Sequence, residues 1–237
     1  MADERVLDGR TEYLGSFLTD SRRAGIERVL AQRTRYLTIV LEDIYQPHNA
    51  SAVLRSCECF GVQDVHIIED RNAYIVNPDV VQGASKWLDL VRYSGEEGNA
   101  QTCFAALRAR GYRLVAATPH RDECPLDELA VEGRLALMFG TEEQGLSDYA
   151  LEQADEYVKV PMYGFTESFN ISVCAALILR EITHRMRTAA VEWQLSEEEK
   201  RDLCLNWYRK IVRGSALIEE RFLAARDAVP DSAGGGR

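Results

Sequence analysis

Three short stretches of this chain put amides, carboxylates, hydroxyls and a guanidinium, side chains able to bind ligands or move protons, beside glycines and apolar runs. The first is His48-Asn49-Ala50-Ser51-Ala52-Val53-Leu54-Arg55, an amide followed nearly two helical turns later by a guanidinium on a half-apolar helix. The second, Phe139-Gly140-Thr141-Glu142-Glu143-Gln144-Gly145-Leu146-Ser147, sets glycines and carboxylates after an apolar run. In an open α/β sheet the carboxyl ends of the strands are where ligands bind. The third, from Val160 to Ser172, is a polar loop carrying Ser168 and Asn170 into a strongly apolar helix. Polar groups there cost stability unless they meet partners. Each stretch also has a purely structural reading. Asn49 or His48 would cap a helix and Arg55 would pair with Glu58 at i,i+3. Ser147 would cap the helix after a plain turn, and Ser168 and Asn170 would be a cap with core packing.

Other chemistries lack their signatures. No GxGxxG follows the first apolar run, so a dinucleotide site is disfavoured. Gly140 to Gly145 has P-loop spacing, but Leu146 and Ser147 follow where Lys and Ser/Thr are required. Four scattered histidines and six cysteines without a CxxC pair predict neither a zinc site nor a disulfide framework. Cys57, Cys59 and Cys174, set among apolar residues, are expected to be reduced and structural.

The elements that must position these stretches follow from periodicity. Leu37–Glu42, Val65–Ile68, Arg113–Ala117, Leu135–Phe139 and Tyr157–Val160 read as short strands. Helices are expected over 49–60, closed by Gly61, over 101–110, closed by Gly111, and over 168–187, whose first half is apolar nearly all round and should be buried. Alternating strands and helices predict the α/β class, a mostly parallel sheet with helices on both faces. Helical extensions flank it, the C-terminal one opening with a capping box at Ser196 and Glu199. The boundaries are 1–36, 37–187 and 188–230, with a disordered tail at 231–237.

At 237 residues, 46% hydrophobic and 28% charged, the chain has an ordinary globular composition, and no apolar run approaches a bilayer span. The start of the chain shows no apolar leader, so a cytoplasmic address is expected. Twenty-eight basic against 38 acidic residues give a net charge of −10, so any RNA contact must be local. Two basic segments qualify: Arg22, Arg23, Arg28, Arg33 and Arg35, and then Arg209, Lys210 and Arg213 beside Trp207 and Tyr208. Solvated helix faces would look the same.

All three chemical stretches, in this order, resemble the SpoU (TrmH-type) branch of the SPOUT methyltransferases, which methylate ribose 2′-hydroxyls of RNA. The likeness covers roughly Leu37 to Arg187. The helical flanks and Gly83-Ala84-Ser85-Lys86-Trp87 look most like the enzymes acting on guanosine-18 of tRNA. The resemblance implies a C-terminal deep trefoil knot, S-adenosylmethionine as cofactor with no metal, and a homodimer. By matching positions it implies catalytic roles for Asn49, Arg55, Glu142, Ser168 and Asn170, and cofactor contacts at Ala117, Gly140, Val160 and Phe169. Arg22, Arg23, Arg28 and Lys86 are the candidates for RNA binding. A guanidinium is almost never deprotonated near neutrality, so Arg55 is expected to clamp phosphate and stabilise the developing alkoxide rather than act as the base. The same reaction on rRNA or another tRNA nucleotide, or a non-catalytic RNA-binding relative, is the alternative.

Overall fold

The computed structural model describes residues 2–75, 77, 81, 83–95, 97–119 and 124–227. The chain divides into two compact units, residues 33–194 and, separately, residues 1–32 with 195–237. The two sequence extensions therefore share one unit, while residues 33–36 and 188–194 sit with the sheet. The side chains explain that boundary. Arg33 is buried, donating to the carbonyl of Val62 and pairing with Glu58 at 3.0 Å, and Thr34 Oγ1 donates to the carbonyl of Trp193. Arg35 spans Asp64 at 2.9 Å and Asp89 at 2.8 Å. These two arginines thus leave the first basic segment and serve the sheet unit.

The larger unit is a seven-stranded sheet: β1 (Leu37–Glu42), β2 (Asp64–Ile68), β3 (Asp89–Tyr93), β4 (Tyr112–Ala117), β5 (Cys124–Pro125), β6 (Arg134–Phe139) and β7 (Glu156–Lys159). Its order is β3-β2-β1-β6-β4-β7-β5 and every pairing is parallel. β3 and β5 were not expected from the pattern. β3 is an edge strand whose Asp89 and Arg92 interrupt any apolar run, and β5 is two residues long.

Helix α1 (Ala2–Gly15) and helix α2 (Asp20–Leu30) belong to the smaller unit. In the sheet unit α3 (Pro47–Phe60) and α6 (Ile171–Thr188) cover one face, burying Val53, Leu54, Ile178, Leu179 and Ile182 against β1, β2 and β6. α4 (Asn99–Ala109) and α5 (Asp148–Gln153) cover the other around Phe104, Leu107 and Met138. Burying one aliphatic side chain of this size contributes about 1.5–3 kcal/mol, so both faces are held by the alternation seen in the sequence. Gly61 and Gly111 take left-handed φ of 81° and 78° where they end α3 and follow α4.

The starts of the two helices that carry site residues differ from expectation. Pro47, with its φ already helical and no N–H to satisfy, opens α3, so Gln46 takes the cap position and Asn49 lies inside the first turn. α6 begins three residues late because Asn170 caps it, accepting from the Ser172 N–H at 2.9 Å. The expectation that the first half of α6 is wholly buried is also corrected. Val173 and Leu177 are 46% and 40% exposed, and Phe169 one turn earlier is 40% exposed.

In the other unit, the C-terminal segment is two helices, α7 (Glu197–Ile211) and α8 (Ser215–Asp227), parted at Gly214, and the Ser196–Glu199 capping box is present. The expected tail, 231–237, lies outside the described residues. Among the described residues no helix is long and apolar enough to cross a membrane.

Candidate active site

The site gathers at the carboxyl ends of β1, β6, β4 and β7. After β6 the chain makes a tight turn in which Thr141 and Gly145 exchange two backbone hydrogen bonds, both 3.0 Å, with Gly145 at φ +70°. Gly140 is packed so closely that a Cβ there would stand 2.0 Å from the Gly145 carbonyl oxygen. Only glycine fits. Ser147 then caps α5, as expected, and also donates its hydroxyl and N–H, each at 2.7 Å, to the buried carboxylate of Glu42 at the end of β1. Burial pushes the Glu42 carboxyl above its ordinary range, against both bonds. The turn is thereby tied to the central strand.

The next residue, Asp43, has φ 55° and uses one oxygen to accept the backbone N–H groups of Asp70, Arg71 and Asn72 at 2.9, 2.8 and 3.2 Å. That arrangement fixes the loop after β2 beside the 141–147 turn. Arg71 reaches across to Gln144 at 2.7 Å.

Asn170 joins the three stretches. Its carbonyl end accepts from Ser172, so its amide hydrogens face Asn49 Oδ1 at 3.1 Å and Glu142 Oε1 at 2.5 Å. A carboxylate can only accept, which requires this orientation. Asn49 is buried and donates in turn to Gln46 Oε1 at 2.5 Å. Its reading as a helix cap is therefore replaced by membership of this network.

Beside the network opens a cavity of about 180 Å³. Ala117, Gly140, Val160 and Phe169, the residues singled out for cofactor contact, all line it, with Glu142 and Ser168 at its border. Backbone at 140–146 and apolar side chains at Leu146, Met162 and Ile171 complete its walls. A flat heteroaromatic ring with polar edges suits this mixture of exposed main-chain groups and hydrophobes, and Gly140 keeps the main chain clear for close approach. Ser168 makes no hydrogen bond among the described residues.

Arg55 stands apart. It is exposed, and no hydrogen bond or ion pair engages it among the described residues. The expected pairing with Glu58 does not form, because Glu58 pairs with Arg33 instead. Six residues on from Asn49, Arg55 lies about 120° round the helix and about 9 Å along it. The structure thus brings Asn49, Glu142 and Asn170 together and leaves Arg55 facing outward.

Among the RNA-binding candidates Arg22, Arg28 and Lys86 are exposed, Arg23 pairs with Asp20, and the Lys86 ammonium sits 5.2 Å from the Trp87 ring centroid. The second basic segment loses its aromatic character: Trp207 and Tyr208 are buried core, and the Arg209 fork is taken by Glu219 at 2.8 and 2.7 Å. Sequence reasoning missed Tyr45 and Arg71, which had no motif to mark them, and the fully exposed rings of Tyr163 and Phe165 in the third stretch. Among the described residues no three His, Cys, Asp or Glu side chains gather to hold a metal ion.

A seven-stranded parallel sheet with helices on both faces is the fold of the SpoU/TrmH enzymes. The TrmH/SpoU tRNA modifying enzyme of A. aeolicus superposes with a TM-score of 0.71 at 27% identity, covering 81% of this chain and 98% of that one. The SpoU methyltransferase AviRb of Streptomyces viridochromogenes, solved with the cofactor AdoMet, gives 0.58 at 25% identity over 69% and 65% of the two chains. The tRNA (guanosine(18)-2′-O)-methyltransferase of Borreliella burgdorferi is 43% identical over 217 residues, 92% of this chain and 97% of the relative. The SpoU rRNA Methylase family model matches residues 36–180, and the chain belongs to that family.

Proposed function

We propose that this chain, an S-adenosylmethionine-dependent RNA 2′-O-methyltransferase, modifies guanosine-18 of tRNA. The observation that carries the site assignment is the single network in which Asn170 holds Asn49 and Glu142 at the mouth of the cavity lined by Ala117, Gly140, Val160 and Phe169. The relative named for guanosine-18 methylation, aligned over nearly the whole chain, supports the choice of RNA. The family description itself says rRNA, which favours rRNA as the second reading.

The cavity fits the cofactor, with the Gly140 main chain and the Val160 to Phe169 loop holding it. When bound, the cofactor supplies an electrophilic methyl group to the attacking oxygen. Asn49, kept in place by Gln46 and Asn170, orients the ribose, and Glu142 with Ser168 shapes the pocket mouth. Arg55 grips the phosphate next to the target ribose and stabilises the oxygen as it gains charge. The substrate phosphate or a bound water takes the proton.

The active form is a homodimer. Phe169, Val173 and Leu177 make an exposed apolar stripe at i, i+4, i+8 that a partner would cover, and the outward-facing Arg55 would then serve the partner's network. We also infer that residues 160–170 thread a deep trefoil knot. Supporting this, β7 lies beyond β4 in the sheet, yet α6, after an eleven-residue connection, packs on α3 near β1 and β2. The cytoplasm is the proposed location, where such an RNA substrate is met.

The test is methyl transfer from labelled S-adenosylmethionine to total tRNA and, separately, to rRNA, with the modified nucleotide mapped. Label confined to guanosine-18 of tRNA is the expected result; label only in rRNA replaces the reading with the second one. RNA docking is assigned to Arg22, Arg23, Arg28 and Lys86. Replacing the three arginines together by alanine is expected to weaken tRNA binding and flatten its salt dependence by about 1 in slope for each phosphate no longer held. Calorimetric cofactor affinity should stay unchanged. Unaltered tRNA affinity would move the docking surface elsewhere.

A further inference from the structure

A second cavity, of about 470 Å³, shares residues of the 141–147 turn with the proposed cofactor site. The loop after β1, the segment fixed by Asp43, and the first residue of α5 enclose it, and neither the motifs nor the network accounts for it. Tyr45 and Thr141 line both this cavity and the small recess at Asn49 and Glu142, so the two are neighbours. Whatever fills the larger cavity is adjacent to whatever the network orients.

Its charge restricts the occupant. Four carboxylates, Glu42, Asp43, Glu143 and Asp148, face one guanidinium, Arg71. Such a lining repels phosphate. Glu42 is satisfied by Ser147, and one oxygen of Asp43 by three backbone N–H groups. Glu143 and Asp148 are exposed and have no hydrogen bond or ion pair among the described residues. The vacant acceptors therefore call for a group rich in donors and free of negative charge.

Among the standard RNA bases only guanine presents two adjacent donors, N1–H and N2–H, on its Watson–Crick edge, matching the two oxygens of a carboxylate. Its adjoining Hoogsteen edge offers O6 and N7, to which an arginine fork bonds well. Arg71 stands at that cavity with one nitrogen on Gln144 and others to spare. The Tyr45 ring, 39% exposed on the cavity wall, provides a stacking face for an unstacked base.

We propose that this cavity receives the base of the target guanosine, with Glu143 and Asp148 reading its N1–H and N2–H edge, Arg71 its O6 and N7, and Tyr45 stacking on the ring. The proposal rests on the reading that the chain methylates a guanosine ribose, and it assigns the source of base selectivity in that reaction. Guanine must leave its own stack to enter, which also brings its ribose to the network.

The experiment uses the full-length protein and tRNA bearing guanosine, inosine or adenosine at the target position, with single-turnover methyl transfer as readout. Inosine keeps N1–H, O6 and N7 but lacks the N2 amino group. Wild type is expected to methylate guanosine roughly 10- to 100-fold faster than inosine, the size of one or two charged hydrogen bonds. Glu143→Gln with Asp148→Asn should slow guanosine and bring the guanosine-to-inosine ratio towards one, and Asp148→Asn alone, at a residue that lines this cavity and not the cofactor's, should do so in part with S-adenosylhomocysteine affinity preserved. Arg71→Ala should slow guanosine and inosine alike while adenosine, lacking O6, is little changed. A wild-type ratio near one, or a ratio unaffected by the double substitution, overturns the pocket. Methylation of a guanosine other than 18 overturns only the choice of nucleotide, and the same ratio at that position then decides the pocket. Methylation of a nucleotide other than guanosine overturns both.

Discussion

Gly140→Ala is expected to lose cofactor binding and methyl transfer together. The added Cβ would stand 2.0 Å from the Gly145 carbonyl oxygen, 2.1 Å from its carbon and 2.2 Å from the Leu146 nitrogen. All three are main-chain atoms, so no rotamer change relieves the clash. The turn must open. Opening it breaks the paired Thr141–Gly145 bonds and pulls Ser147 from Glu42, whose buried carboxylate would lose both donors. Overpacking of this kind costs about 1–3 kcal/mol, and each hydrogen bond to a charged group about 1.5–3 kcal/mol. The overpacking alone lowers the melting temperature by roughly 2–12 °C for a chain of this size, and the lost Glu42 bonds add to that. Methyl transfer should fall more than about 100-fold, since a misplacement near 1 Å is already worth that much. Gly25→Ala in α2 is the control, because nothing lies within 4 Å of a Cβ there, its φ is not left-handed and it is no part of the cofactor site. Thermal melts and calorimetry with S-adenosylhomocysteine check both variants. A Gly140→Ala protein with wild-type cofactor affinity would show that the turn does not shape the site.

The second large effect separates action within one subunit from action between two. Arg55→Ala and Asn170→Ala are each expected to reduce activity by at least about 100-fold, since one removes the charge on the developing oxygen and the other the link between Asn49 and Glu142. When the two inactive proteins are mixed and allowed to exchange subunits, a site built across the dimer recovers. Random pairing makes half the dimers mixed, and one of the two sites in each has both residues intact, giving about one quarter of wild-type activity. If Arg55 serves its own subunit's network, every site stays defective and the mixture is as inactive as its components. A light-scattering measurement of an active monomer would remove the dimer altogether. Arg55→Lys adds a second discrimination: with the planar fork gone, activity should stay low, and raising the pH to deprotonate the lysine should bring no rescue beyond that seen in wild type.

The alternation of short apolar runs with helical periods was sufficient to reveal the α/β class, and Gly61, Gly111, Ser147 and the Ser196–Glu199 box act as local signals predict. These are features whose partners lie within a few residues. What escaped was set by distant partners. Arg33 and Arg35 resembled a solvated basic face because Glu58, Asp64 and Asp89 are 25 to 54 positions away. Trp207 and Tyr208 resembled a stacking patch until burial showed them as core. β3 carries charges that hide it, and the sheet order depends on crossovers that no local pattern encodes. For the site, the four positions expected to contact the cofactor rest on the likeness of motifs, and one cavity gathers them. Tyr45 and Arg71 carried no signal, since their place depends on the Asp43 turn and the parallel ends of β1 and β6.

The outer face of α3 also has a practical use. Cys59 follows Arg55 by four residues, about one helical turn, and both are exposed. It is the exposed one of the six cysteines. Cys57 and Cys103 are buried, with thiols pushed up to about 12, and Cys174 is pushed to about 11 by its burial. Reagents that attack thiolates react slowly with such groups. A maleimide fluorophore added briefly at neutral pH should therefore attach at Cys59 first, without mutagenesis. The dye would sit one turn from the guanidinium, and its emission during stopped-flow mixing would follow the arrival and departure of nucleic acid in real time.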